Sequence, residues 1–300
     1  MTRYPLTPSQ NHLLKSHLIT PGKPLFNQVV TATLCGGPFS DDDVKAMCEA
    51  WQSVQHRHPV LSATIIESAS AGFVQRAGKA SSHMEVIDLD SQSGAFAETF
   101  EMWMSNRMQR VFELDKSLSD AAVVRHGQDE LIVYLNMHHL VADAWSTNLI
   151  LEELIQTFNV ATNRVDRSLE EPSSLAAPDQ QNFFDYAITL SNSKTPNLKQ
   201  ESPQKAQGQV LGTALPSFYG HINERLATAS TRKLVNLSAD DHTRLLNLSK
   251  DRELQQLSEN LFQLCFHLTV LSVFLHKTSG DTEFFIEVPL LGRFSQQWMN

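Results

Sequence analysis

The sequence predicts a mixed α/β protein, and three observations carry the prediction. Apolar residues recur at helical spacing in several segments, short runs rich in Val and Ile stand between those segments, and 41% hydrophobic against 19% charged residues over 300 positions can bury a substantial core. That length suits two lobes or one large domain. No internal repeat is evident.

The elements follow in order. In "LTPSQNHLLKSHLI" Thr7 can cap a helix and Pro8 suits its first position, because proline lacks the N–H that a first turn leaves unpaired. "FNQVVTATL" is predicted to be a strand. In "SDDDVKAMCEAWQSVQHRHP" Ser40 can cap, the acids complement the positive helix start, and Val44, Met47, Cys48, Trp51 and Val54 share a face that ends before Pro59. "LSATIIES", "GFVQRA" and "MEVIDL" predict short strands. "AFAETFEMWMSNRMQRVF" predicts a helix on which Phe96, Phe100, Trp103, Met104, Met108 and Val111 form one apolar face. "AAVVRHGQDELIVYLNM" gives two strands joined by a polar turn, and "AWSTNLILEELIQTF" a helix with Leu151, Leu154, Ile155 and Phe158 on one side. Residues 159 to about 217 turn rich in Ser, Pro, Gln and Asn, interrupted by "NFFDYAITL", and predict a crossover between lobes. "RKLVNLS" and "TEFFIEVPL" are predicted strands, "ADDHTRLLNLSKD" a helix, and "SENLFQLCFHLTVLSVFLHK" a helix apolar nearly all round and therefore buried.

A net charge of −9 and a pI near 5.7 argue against a general nucleic-acid or anionic-membrane surface, since both need clustered Lys and Arg, and leave room only for a local basic patch. Cys35, Cys48 and Cys265 are odd in number and far apart, which fits neither a disulfide framework nor a zinc site and points to a reducing cytoplasm. The start "MTRYPLTPSQ" lacks the apolar core of a signal peptide, and no uninterrupted apolar run reaches the ~18 residues of a membrane span.

The informative stretch is "LIVYLNMHHLVADAWS", where His138, His139 and Asp143 stand between a strand and a helix. Three readings fit these residues. The histidines can satisfy backbone carbonyls while Asp143 caps the helix; they can ligate a metal, though no second cluster stands at ligand spacing; or one ring can act as a general base, held by the other and by Asp143. The spacing H-x-x-x-x-D from His138 also resembles the glycerol-phosphate acyltransferase pattern, and short patterns need context.

That context is a set of further stretches in order. "YPLTPSQNHLL", "RHPVLSATI", "HHLVADAWS", "FFDYA" and "EFFIEVPLLGR" together resemble the successive motifs of condensation domains of nonribosomal peptide synthetases, members of the chloramphenicol-acetyltransferase-like fold. The resemblance spans essentially all 300 residues. It implies a two-lobed condensation fold with an N-terminal lobe over residues 1–165, a crossover at 166–217 and a partial C-terminal lobe at 218–300, since family members usually run longer. It implies amide formation, or ester formation with a hydroxyl acceptor, from an acyl or aminoacyl thioester. The substrates arrive on phosphopantetheine arms of donor and acceptor carrier domains, with no permanently bound cofactor. His139 is then the catalytic residue, facing an interlobe tunnel, with His138, Asp143, Ala144 and Trp145 in support. Trp145, like Phe100, is expected in the core, and Ser146 at the helix start. His12, His17, His56, His58 and His242 are expected to be exposed.

Two positions depart from the family pattern. Ser62 stands where an arginine usually pairs with the motif aspartate, so Arg57, Arg293 or another arginine is the expected substitute partner of Asp143. Ala144 replaces a glycine, which matters if that position needs positive φ or close substrate approach. Two rival readings remain: a stand-alone acyltransferase of the same fold using coenzyme A or one carrier, and a degenerate domain that docks carriers without catalysis.

Overall fold

The computed structural model describes residues 2–69, 72–78, 82–89, 96–164, 182–192, 236–248, 250 and 258–280, with isolated positions at 282, 286 and 288. Most of the predicted strands "RKLVNLS" and "TEFFIEVPL", most of the crossover, and the closing Gly292–Arg293 lie outside the residues described. The chain divides into two compact units, residues 1–196 with 295–300 and residues 197–294.

The first unit opens with β1 (Arg3–Tyr4) and α1 (Pro8–Ile19), whose cap is the predicted one. Thr7 accepts from the Gln10 N–H while the Gln10 side chain accepts from the Thr7 N–H, so two donors that a helix start would leave unpaired are satisfied reciprocally. Next come β2 (Asn27–Cys35) and α2 (Asp41–Arg57), which is capped by Ser40 and Asp43 in the same reciprocal manner. A 3₁₀ turn (Pro59–Ser62), not expected from sequence, leads into β3 (Thr64–Ser68), β4 (Gly72–Arg76) and β5 (Met84–Asp88). Then follow α3 (Phe96–Arg107), β6 (Ser119–His126), β7 (Glu130–His138), α4 (Ala144–Ala161) and α5 (Phe183–Asn192).

The strands form two sheets, β1-β4-β3 and β2-β7-β6-β5. In the larger one β7 is central and antiparallel to both neighbours, with Asn27 opposite His138 and Val123 opposite Val133. β5 runs parallel to β6, a pairing that requires a crossover, and α3 lies within it. Successive β7 side chains face opposite ways. Leu131, Val133, Leu135 and Met137 join the core with Met47, Trp51 and Val54 of α2 and with Ile150, Leu154 and Phe158 of α4. Tyr134, Asn136 and His138 look to the other side, where Trp103 meets the Tyr134 ring edge-on and Phe112 meets His138. Because both faces are covered, β7 reads as a continuous apolar run rather than an alternation.

α3 is shorter than predicted, and Met108 and Val111 are exposed. The Asn27 amide donates to the carbonyls of Met108 and Arg110, which draws the chain out of helical geometry just past Arg107. α5 packs against β1 within the first unit through the Tyr4–Phe184 ring stack, centroids 4.3 Å apart.

The Ser62 position is tightly enclosed. Its hydroxyl donates to the Pro59 carbonyl at 3.1 Å, and a Cβ on Gly78 would lie 1.9 Å from the Ser62 carbonyl oxygen. Gly78→Ala should therefore cost about 1–3 kcal/mol as an overpacked site. A thermal midpoint equal to wild type would show that this edge relaxes freely.

In the second unit, α6 (Ala239–Leu248) and α7 (Glu259–Ser279) follow the predicted spans. The expectation that α7 is buried is not met. Leu261, Leu264, Val270, Leu271, Val273 and Phe274 are exposed, while Phe262 is buried. α7 is also the one helix among the described residues that is long and apolar enough to cross a membrane by length and composition.

Candidate active site

The site begins where β7 ends. His138 is the last residue of the strand and His139 the first beyond it, so the strand's alternation sends the two rings in different directions. The His139 N–H donates to the Phe26 carbonyl at 2.8 Å, tying the turn to the segment before β2. Asp143 then caps α4: one carboxylate oxygen accepts from the Ser146 N–H and hydroxyl, both at 2.7 Å. The turn is closed by secondary structure at both ends.

The two histidines are in contrasting environments. His138 is 2% exposed, ringed by Phe26, Phe112 and His17. Its Nδ1 accepts from the Leu140 N–H at 3.1 Å, and its Nε2 lies 3.2 Å from Nδ1 of His17. Burial above all, then the neighbouring His17 and His139, push the His138 ring down to about 3, so it is neutral near pH 7. His139 is partly exposed, and its Nδ1 lies 3.0 Å from the Ala142 carbonyl. A carbonyl only accepts, so Nδ1 of His139 is the donor in this contact, and in the neutral ring Nε2 is the nitrogen with the lone pair.

The supporting residues correct several expectations. Trp145 is 48% exposed rather than in the core, because α4 buries the stripe Thr147, Ile150, Leu154 and Phe158 and Trp145 projects from another side of its first turn. Ala144 is the first helical residue of α4, exposed and without positive φ, so its methyl brings no backbone strain. Arg57 does not serve Asp143. It donates to Glu153 at 2.5 Å and to Thr157 at 2.9 Å, and Glu153 stands ten positions further along α4 than Asp143, or about 15 Å of helix. Arg293 lies outside the described residues. His17 is buried rather than exposed, as is Gln10, which donates to the Leu140 carbonyl at 2.8 Å.

The clamp at Glu153 is a feature the sequence concealed. This buried carboxylate on α4 holds Arg57 and His58 from the end of α2, with His58 Nε2 at 2.6 Å, and so fixes α2 against α4 beside the core. Its one signal was a carboxylate inside the apolar stripe, three residues past Ile150. Burial alone would raise the Glu153 carboxyl, but the hydrogen bonds and charges of His58 and Arg57 hold it below its ordinary value of 4.5. The unfolded chain therefore takes up this proton first as acid is added. The stability Glu153 contributes is complete above pH about 4.5 and fades as the pH falls through the lower folded value. As the pH falls from about 4.5 through the lower folded value, wild type should lose more stability than Glu153→Gln, read from urea midpoints. Equal losses would show that the clamp is not linked to protonation.

A separate cleft of about 410 Å³, lined by Phe39, Asp41, Arg125 and Leu131 among others, sits at the opposite end of β7 from the histidines, roughly 20 Å away along the strand. It plays no part in this constellation.

Comparison with known proteins agrees with the fold. The family model for the condensation domain matches residues 1–299. A linear gramicidin synthase of Brevibacillus parabrevis is 25% identical over 98% of this chain, and phosphinothricin tripeptide synthetase PhsC of Streptomyces viridochromogenes is 24% identical over 96%. The chain spans only 6% and 25% of those two proteins, and 4% of the enniatin synthase of Fusarium equiseti. Among solved structures, the starter condensation domain of rhizomide synthetase RzmA, in a mutant form bound to C8-CoA and Leu-SNAC, superposes with a TM-score of 0.65 at 18% identity, covering 93% of this chain and 59% of that one. Matched by the family model over nearly its whole length, the chain belongs to the condensation-domain family.

Proposed function

We propose that this chain is the acyl-transferring part of a nonribosomal peptide synthetase, joining an acyl or aminoacyl thioester on one carrier's phosphopantetheine arm to an amine held on a second. The observation that carries the reading is the His139 ring, whose Nδ1–H is committed to the Ala142 carbonyl and whose Nε2 is left as a proton acceptor on a partly exposed side chain. In this reading the acceptor nitrogen attacks the thioester carbonyl, forming the C–N bond while His139 Nε2 takes the amine proton. As the tetrahedral intermediate collapses the C–S bond breaks and the proton passes to the leaving thiolate, so no oxidant or further reactant is needed. A hydroxyl acceptor would follow the same path and depend more heavily on the base.

Ala144 sits in ordinary helical backbone, which supports a turn that tolerates the methyl group there. The free cysteines, Cys35, Cys48 and Cys265, fit a reducing cytoplasm. The test is to incubate the native protein with acyl-loaded donor carrier and aminoacyl-loaded acceptor carrier and to follow the amide on the acceptor by intact mass. Product is expected. Carrier binding without product across a panel of loaded carriers would favour the docking domain, and turnover of free acyl-coenzyme A without carriers the stand-alone acyltransferase.

A further inference from the structure

α1 buries only Gln10, Leu14 and His17, a single stripe at helical spacing in which two of three residues are polar. Both polar groups reach the turn that carries His139. Gln10 Nε2 donates to the Leu140 carbonyl at 2.8 Å and to the Gln75 side chain at 3.1 Å. His17 Nδ1 meets His138 Nε2 at 3.2 Å with the rings nearly perpendicular.

The direction of the His17–His138 bond follows from its neighbours. The Leu140 N–H can only donate, so His138 Nδ1 must be the acceptor and carries no proton. A neutral His138 then holds its proton on Nε2 and donates it to His17 Nδ1, which leaves the His17 proton on Nε2. Only this arrangement satisfies all the bonds at once. The opposite His138 tautomer would set its Nδ1–H against the Leu140 N–H, on the residue directly after His139.

We propose that His17 is a positioning residue: by accepting from His138 Nε2 it reinforces the tautomer that the Leu140 N–H requires, and so helps hold the Leu140 amide and the place where the His139 ring stands. This rests on the reading of His139 as the reacting group. Asparagine at position 17 can present Oδ1 near the place of the imidazole Nδ1 and accept the same bond, whereas leucine fills the space and accepts nothing.

The test has a spectroscopic and a kinetic arm. With ¹⁵N-labelled histidine in this chain, the His138 imidazole should show a protonated Nε2 and a bare Nδ1 in wild type and His17→Asn, and a mixed or inverted tautomer in His17→Leu. In the carrier condensation assay, His17→Leu should lower kcat by about tenfold with little change in KM for the loaded carriers, the loss of one buried hydrogen bond, and His17→Asn should restore most of it. A wild-type His138 protonated on Nδ1 overturns the proposal without reference to any variant, even if His17→Leu fails to fold. An unchanged tautomer and kcat in folded His17→Leu overturns it too. Full activity in His139→Ala would instead sink the catalytic reading, so the two failures are distinguishable.

Discussion

His139→Ala should reduce condensation product by about 10²–10⁴-fold, the usual worth of a positioned general acid or base, while leaving the fold intact. The fold should survive because the bond that ties this residue to its surroundings is the backbone donation to the Phe26 carbonyl at 2.8 Å, which alanine retains. The lost side-chain bond to Ala142 is worth about 1 kcal/mol, far less than global stability. The measurement is product mass from loaded carriers, with circular dichroism as the folding control. Product within a few fold of wild type from a folded variant would remove His139 from the chemistry. His138→Ala should behave differently and lose stability as well as activity, since it vacates a fully packed position and releases Leu140 and His17 together.

Asp120→Ala should destabilise the first unit by about 3–5 kcal/mol. Asp120 on β6 is buried opposite Asn136, and its two oxygens accept from Nε and Nη2 of Arg107 at 2.9 and 2.8 Å and from Arg110 at 2.9 Å. Arg107 is itself largely buried, its guanidinium 5.3 and 5.6 Å from the Trp103 and Tyr134 ring centroids, so removing the carboxylate leaves a guanidinium that retains Glu85 at the surface and a long 3.4 Å contact to the Ala121 carbonyl. The surroundings offer little relief. Among the described residues the Tyr134 hydroxyl and the Asn136 amide are buried with no partner in good hydrogen-bond geometry, which makes this face of the sheet intolerant of a further unpaired group. Asp120→Asn, which keeps one acceptor, should lose about half as much, and urea midpoints of the two variants decide the matter. A loss below about 1 kcal/mol in Asp120→Ala would mean that the network behaves as an exposed pair.

What the sequence determined by itself was local. Thr7 and Ser40 caps, the helical stripe of α2, the paired strands β6 and β7, the Asp143 cap and the placing of His138 and His139 at a strand end all follow from periods, caps and turn residues within a few positions of one another. The ordered motifs added the family, because agreement at several separated stretches is far more specific than any single one.

Tertiary structure decided whatever depends on which surfaces meet. His17 and His138 are 121 positions apart, Gln10 and Leu140 130, and Arg57 and Glu153 96, and no local period encodes such encounters. Trp145 shows the same limit from the other side: an aromatic residue at a helix start packs inward only if its turn faces the core, and α4 is rotated by its Thr147–Ile150–Leu154 stripe so that this one does not. A polar side chain on a helix or strand looks like solvated surface until a partner far along the chain arrives, and at Gln10, His17, Asp120 and Glu153 the partner supplies the hydrogen bonds that offset the cost of burial.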